Sequence, residues 1–371
     1  MNDREEIVDM PDAPTRSPIL RFDKALGEKR LKDIRDNCSA LVLHDSNLWI
    51  GGDEGMAVDR LTRDDAGNFG RHTRFDLVTL LGLAAGEKTE IDVEGLDVHG
   101  GYLWVIGSHS LKRRKADAGK TAAENIARLA DVTPDPNRFT LGRVPLKQRG
   151  ADFEPVARDG TLTAARLEGD DRGNLLTNAL ARDPHIGPFV PRLSKEGRLV
   201  GIPSKDNGLD VEGLAVSGNR VFLGLRGPVL RGWAVVIELH VKESGPGDLG
   251  LETLGTTTYR KHFLQLGGLG VRDLAIHGQD LYVLAGPTMD LDGPVFIYRW
   301  VDVLEQASDT LVFEKDLKRP VSLPFGIGDD HAEGMTVIAD PLSAMVCYDS
   351  PVDARIDGVD RDGVKTDVFL L

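Results

Sequence analysis

The sequence predicts an all-β fold, a six-bladed β-propeller, and three observations carry that expectation. First, an acidic phrase recurs as Asp92-Val93-Glu94-Gly95-Leu96, Asp210-Val211-Glu212-Gly213-Leu214 and His331-Ala332-Glu333-Gly334-Met335, with a degenerate copy at Val271-Arg272-Asp273-Leu274-Ala275. Second, most copies lead into an alternating apolar run, a Gly-containing turn and another apolar run, as in Leu96 to Val105 and Leu274 to Val283. Third, the spacing is regular. Matching Leu48-Trp49 to Leu103-Trp104 puts Ser39 at the marker of the first unit, and the markers Ser39, Glu94, Glu212, Asp273 and Glu333 then lie 55, 118, 61 and 60 residues apart. The value 118 is close to twice the others, so a sixth unit near residues 150–208 is expected to have lost its signature. Repeats of about 60 residues are in the range of propeller blades with long loops.

The elements follow in order. Residues 1–15 are acidic and Pro-containing and are expected to be mobile. Residues 16–371 read as a single propeller domain. Within each unit the apolar runs alternate with period two, the pattern of half-buried strands, and Gly100-Gly101 and Gly218-Asn219 mark hairpin turns. Such sheets cannot bury both faces alone and pack radially against one another. Lys112 to Arg128 reads as a loop with a short helix. Gly173 to Leu193 reads as an insertion, helical over Asn174 to Leu180 and ended by Pro184, Pro188 and Pro191. The last unit keeps only 38 residues after Glu333, so the strand-like Ser17 to Phe22 is expected to complete the last blade and close the ring.

The chain carries 45 Lys and Arg against 59 Asp and Glu, a formal net charge of −14. That balance argues against nonspecific binding to nucleic acid or an anionic membrane. Cys38 and Cys347 make no disulfide framework and read as small buried hydrophobes. The opening Met1-Asn2-Asp3-Arg4-Glu5-Glu6 has no basic region followed by an apolar core. No apolar stretch nears the roughly 20 residues a bilayer span needs. A cytoplasmic protein is expected.

The acids of Asp-Val-Glu stand two residues apart, so in a strand they point the same way. On the innermost strand of a blade they face the channel. Glu94, Glu212, Asp273 and Glu333, with Asp92, Asp210, Asp53 and Glu54, would form a ring at one mouth. Close, uncompensated carboxylates repel one another, and a hard cation taking six to eight oxygens suits them, Ca²⁺ first. The alternative is that each acid accepts backbone N–H groups of the next blade and holds blades in register. Candidate anion ligands surround the ring: His109, Arg113 and Arg114 after one hairpin, Arg226 and Arg231 in a later unit, and His331 beside Glu333. Arg suits bidentate recognition of phosphate or carboxylate. Alternatively, these residues pair with neighbouring acids or form a solvated loop.

Two resemblances rest on these phrases. Glu54-Gly55-Met56-Ala57-Val58-Asp59, Asp92-Val93-Glu94-Gly95-Leu96 and Glu333-Gly334-Met335-Thr336-Val337 resemble phrases of β-propeller phytases and their esterase-like relatives. Those phytases are calcium-dependent phosphomonoesterases, and the resemblance implies that Glu54, Asp92, Glu94 and Glu333 are calcium ligands; the internal repeat adds Glu212. Gly107-Ser108-His109-Ser110-Leu111-Lys112-Arg113-Arg114 and Gly224-Leu225-Arg226-Gly227-Pro228-Val229-Leu230-Arg231-Gly232 resemble a bacterial domain-of-unknown-function family, number 3616, over nearly the full length. That family implies no activity. The expectation is a Ca²⁺-dependent hydrolase of a phosphate or related ester, with the acids holding the metal and Arg226, Arg113 and Arg114 clamping the anion. The alternative is a non-catalytic propeller that binds a small anionic ligand or a protein partner.

Overall fold

Each marker of the repeat opens a strand, and these strands form the inner wall of the molecule. The computed structural model describes residues 11–52, 55–84, 89–193 and 199–371. Asp53 and Glu54, with the mouth position expected of them, lie outside the described residues. The inner strands are Cys38–His44, Val93–His99, Asp210–Ser217, Gly270–His277 and His331–Ala339. Each pairs antiparallel with the strand that follows it. Each also abuts the next inner strand, and the last abuts the first. The fold is mostly β and of propeller type.

Among the described residues the ring has five sheets, which corrects the expected six. Five apolar cores fill the five gaps between neighbouring sheets. The second and third sheets are in direct contact where a further blade would have to stand. A Cβ built on Gly95 would lie 2.7 Å from Leu214 Cβ and 2.9 Å from Leu214 N. Glycine is what permits that approach, so the Gly of the phrase is a packing residue. The long interval is filled instead by two excursions. One is a short hairpin, Leu111–Arg113 with Val132–Pro134, carrying helix Ala122–Ala130 with a Thr121/Glu124 capping box. The other, residues 158–208, contains two-residue strands and helix Leu175–Leu180, which Asn174 caps. Asp183 fastens this excursion to the outer strand of the third blade, accepting from Lys261 Nζ and the Tyr259 hydroxyl, each at 2.6 Å. Both helices stand where the sequence indicated.

The chain ends meet at the seam between the fifth and first blades. Arg16 makes a single bridge to Val368 at the outer edge of the last blade, but Ser17 to Phe22 does not complete that blade as expected. Ile19–Arg21 goes elsewhere, pairing with Gly363–Lys365 and, through Leu20, with Phe69 of the first blade. Residues 12–15, expected to be mobile, are held: Asp12 N–H donates to Ser322 O and Thr15 N–H to Val368 O, both at 2.8 Å. Cys38 and Cys347 are buried thiols. Among the described residues no helix is long and apolar enough to cross a membrane.

A β-bulge recurs in every inner strand at the same place. The extra, unpaired residue is Ser39, Glu94, Glu212, Arg272 or Glu333. Bulges re-aim side chains, commonly at sites of function. In the fourth blade the frame is Val271-Arg272-Asp273-Leu274, so Arg272 holds the position of the glutamates and Asp273 that of the glycine. Asp273 is therefore not on the ring. It accepts from Leu274 N–H and from Met335 N–H of the next blade, each at 2.7 Å. For this acid the register-holding alternative is correct. Asp97 makes an equivalent link, accepting from Val216 N–H at 2.6 Å.

Candidate functional site at the channel mouth

The inner strands start at one mouth of the channel and the second strands return to it. Segments that precede inner strands or follow second strands therefore gather there, around a cavity of about 910 Å³. Its floor carries Asp92, Glu94, Asp210, Glu212, Arg226 and Glu333, and Lys112, Arg113, Arg114, Lys115, Lys205 and Asp290 stand among the residues nearer the entrance.

The floor is an alternating ladder of charge. Arg226 holds Asp210 and, at 2.7 Å, Glu212 Oε1. Arg272 donates to Glu212 Oε2 at 2.8 Å and reaches Glu333 Oε1 at 3.1 Å. To one side, Arg138 holds Asp92 at 2.9 Å, donates to Ser110 Oγ at 3.0 Å and pairs with Glu90. The bulge aims Glu94 into the same space, yet among the described residues no hydrogen bond or ion pair falls on its carboxyl. Glu94 is 8% exposed. Its neighbour in the first blade, Ser39, is turned aside and donates to Val93 O at 2.6 Å.

Electrostatics follow from that geometry. Burial pushes the Glu94 carboxyl well above the usual range, and Asp92, Glu212, Asp210 and Glu333 push it the same way. Burial raises Asp210 to about 6 although Arg226 opposes it. Burial likewise raises Glu333 to about 7 against the pull of Arg272, with Asp349 and Glu212 adding to the rise. Burial would weaken the guanidiniums, but Asp210 and Glu212 keep Arg226 firmly cationic, and Glu212 and Glu333 do the same for Arg272.

These residues do not fit calcium. A hard divalent ion needs six to eight oxygens, whereas Asp92, Asp210, Glu212 and Glu333 already hold guanidiniums, Asp273 is spent on backbone N–H groups and Glu54 lies outside the described residues. Among the described residues no group of three or more His, Cys, Asp or Glu is arranged to hold a metal ion. Arg226 and Arg272 supply the positive charge that the carboxylates would otherwise require.

The expected anion ligands are dispersed. Arg226 is a member of the ladder. Arg113 holds Asp206 at 2.7 Å and Arg114 holds Asp131 at 3.6 Å, both on the rim. His331 sits between Asp292 at 3.0 Å and Asp349 at 3.9 Å, and hydrogen bonding to Asp349 raises its pKa. His109 is a structural residue: its ring bonds Gly107 O and the Asn174 amide, each at 2.8 Å, and burial lowers its pKa to about 4. Arg231 lies in an exposed turn outside the cavity lining. The sequence reading missed Glu90, Arg138 and Asp349, and gave Arg272 no place in the ring. Glu90 continues the alternation Glu90, Asp92, Glu94, and matching the apolar frame Val-x-x-Leu would have put Arg272 in phase. Arg138 and Asp349 come from outside the repeated phrase and carry no periodic signal.

Residues 37–367 match the model of a family described as "Protein of unknown function (DUF3616)". The chain belongs to this family. Among curated proteins, none matches this DUF3616 chain. Solved structures give loose likenesses. A streptogramin B lyase is 10% identical, with 96% of this chain and 100% of that chain covered and a TM-score of 0.37. The PQQ-bound aldose sugar dehydrogenase of Streptomyces coelicolor is 11% identical over 96% and 100%, with a TM-score of 0.35. The allergen Mala s 1 of Malassezia sympodialis is 7% identical over 91% and 94%, with a TM-score of 0.38.

Proposed function

We propose that the channel mouth of this chain binds a small polar molecule and that Glu94 is the residue that meets it. One observation supports this reading above the rest: Glu94, a residue 8% exposed, lines a cavity of about 910 Å³, and its carboxyl has no hydrogen-bond or ion-pair partner among the described residues. Burying an unpaired carboxyl is costly, and purely structural acids of this chain, such as Asp273, are fully bonded. Residues kept at the expense of stability mark sites of function. Glu94→Gln removes the charge and keeps the shape. At pH 8 it is expected to raise stability by roughly 1 kcal/mol in urea denaturation. A loss of stability would make Glu94 a structural residue and end the proposal.

Catalysis is the second reading, favoured by carboxyls at about 6 and about 7, Asp210 and Glu333, beside Glu94, which burial pushes well above the usual carboxylate range. Such groups suit acid–base cleavage of an ester without a metal. Calcium-dependent cleavage of a phosphoester is the competing version. Turnover of p-nitrophenyl phosphate or p-nitrophenyl acetate separates the two: any hydrolysis is expected to survive EDTA and to fall at least tenfold in Glu94→Gln. Turnover that appears only with added CaCl₂ and disappears with EDTA would restore the metal-dependent reading.

A further inference from the structure

We infer that the group the ligand presents to Glu94 is an organic cation, a primary ammonium or a guanidinium, and this rests on the reading of the mouth as a ligand site. The floor holds five carboxylates, Asp92, Glu94, Asp210, Glu212 and Glu333, against the three guanidiniums of Arg138, Arg226 and Arg272. That excess sets a negative potential at Glu94, the one of the five with no hydrogen bond or ion pair among the described residues. The charges that press most on Glu94 are Asp92, Glu212, Asp210 and Glu333, all of one sign. An anionic group there would meet repulsion from every one of them. A divalent metal would lack oxygens, since guanidiniums occupy those of its neighbours. A monovalent cation with N–H donors needs one free carboxylate and matches what Glu94 offers. The cavity volume of about 910 Å³ leaves room for the rest of a small molecule above it.

Three probes of one chain length test this: 4-amino-1-butanol, butane-1,4-diol and butyrate, titrated into the full chain at pH 8 and followed by calorimetry and ¹H–¹⁵N NMR. The amine is expected to bind at least tenfold more tightly than the diol, and butyrate more weakly still. Glu94→Gln is expected to abolish the preference and Glu94→Asp, which keeps the charge, to retain most of it. Equal binding of amine and diol, or amine binding indifferent to Glu94→Gln, overturns the inference while leaving the mouth as a ligand site. Failure of all three probes also overturns it. If Glu94→Gln is in addition destabilising at pH 8, the mouth reading falls with it. Calcium that binds in a Glu94-dependent manner and displaces the amine would assign the position to a metal instead.

Discussion

Replacing Arg272 by Met is expected to cost the fold about 3–5 kcal/mol, the usual penalty for removing one partner of a buried ion pair. Arg272 is 7% exposed and ties its own fourth blade to the third and the fifth, donating to Glu212 at 2.8 Å and reaching Glu333 at 3.1 Å. Met fills a similar volume, so lost packing contributes little. What remains is Glu333 without its guanidinium and Glu212 with Arg226 alone. Adding Glu333→Gln removes the stranded charge, so the double variant is expected to recover more than 1 kcal/mol of the loss. Urea denaturation of the single and double variants measures both quantities. A single-variant loss below 1 kcal/mol would mean that the ladder contributes little to holding the ring.

Glu238→Gln is expected to lose roughly 3 kcal/mol at pH 7, by a different network on the third blade. Glu238 is 0% exposed. It accepts from Arg220 and Arg260 at 2.9 Å, from His240 at 2.7 Å and from His262 at 3.0 Å. Burial pushes its carboxyl up, but hydrogen bonds from His262, Arg220 and His240 outweigh that and bring it to about 2. A depressed carboxyl stabilises the fold above the unfolded value of about 4.3 and loses that contribution as pH falls toward 2. The penalty of Glu238→Gln is therefore expected to shrink between pH 5 and pH 2. A penalty that stays constant over that range would assign it to lost hydrogen bonds rather than to charge. Arg220 also donates to Val303 and Gln306 carbonyls of the fourth blade, at 3.4 and 3.2 Å, so this hub joins two blades.

Much of the fold was legible because a propeller writes its period into the chain. All the inner strands begin at the marked phrases, and the Glu-Gly pair encodes two physical events, a bulge and a close approach between sheets. The blade count failed because length was read as repetition. Residues 158–208 occupy the span of a blade without alternating strands, and the contact of Gly95 with Leu214 leaves no space for one. The site was half legible. Asp92, Glu94, Asp210, Glu212, Arg226 and Glu333 converge as their phase implies, because side chains in one phase of a closed ring must share a place. The ring's own cation was hidden by a one-residue slip between Arg272 and Asp273. Arg138 was invisible, since its position depends on a turn, Pro136–Phe139, that belongs to no repeat. With those two arginines unplaced, a metal was the first candidate for neutralising the acids.

The proposed role of Glu94 is that of a carboxyl kept for a ligand, with no hydrogen-bond or ion-pair partner among the described residues. Its most direct test is the stability difference between wild type and Glu94→Gln followed from pH 5 to pH 8. Burial and the surrounding carboxylates make the folded Glu94 hold its proton more tightly than the unfolded chain does, whose Glu ionises near about 4.3. In the window above that value the native state binds the extra proton, so wild-type stability falls as pH rises. The variant lacks this term. The expected result is nearly equal stabilities at pH 5 and an advantage for the variant that grows toward pH 8. A wild type that is the more stable at pH 8, or a difference that does not change with pH, would contradict it.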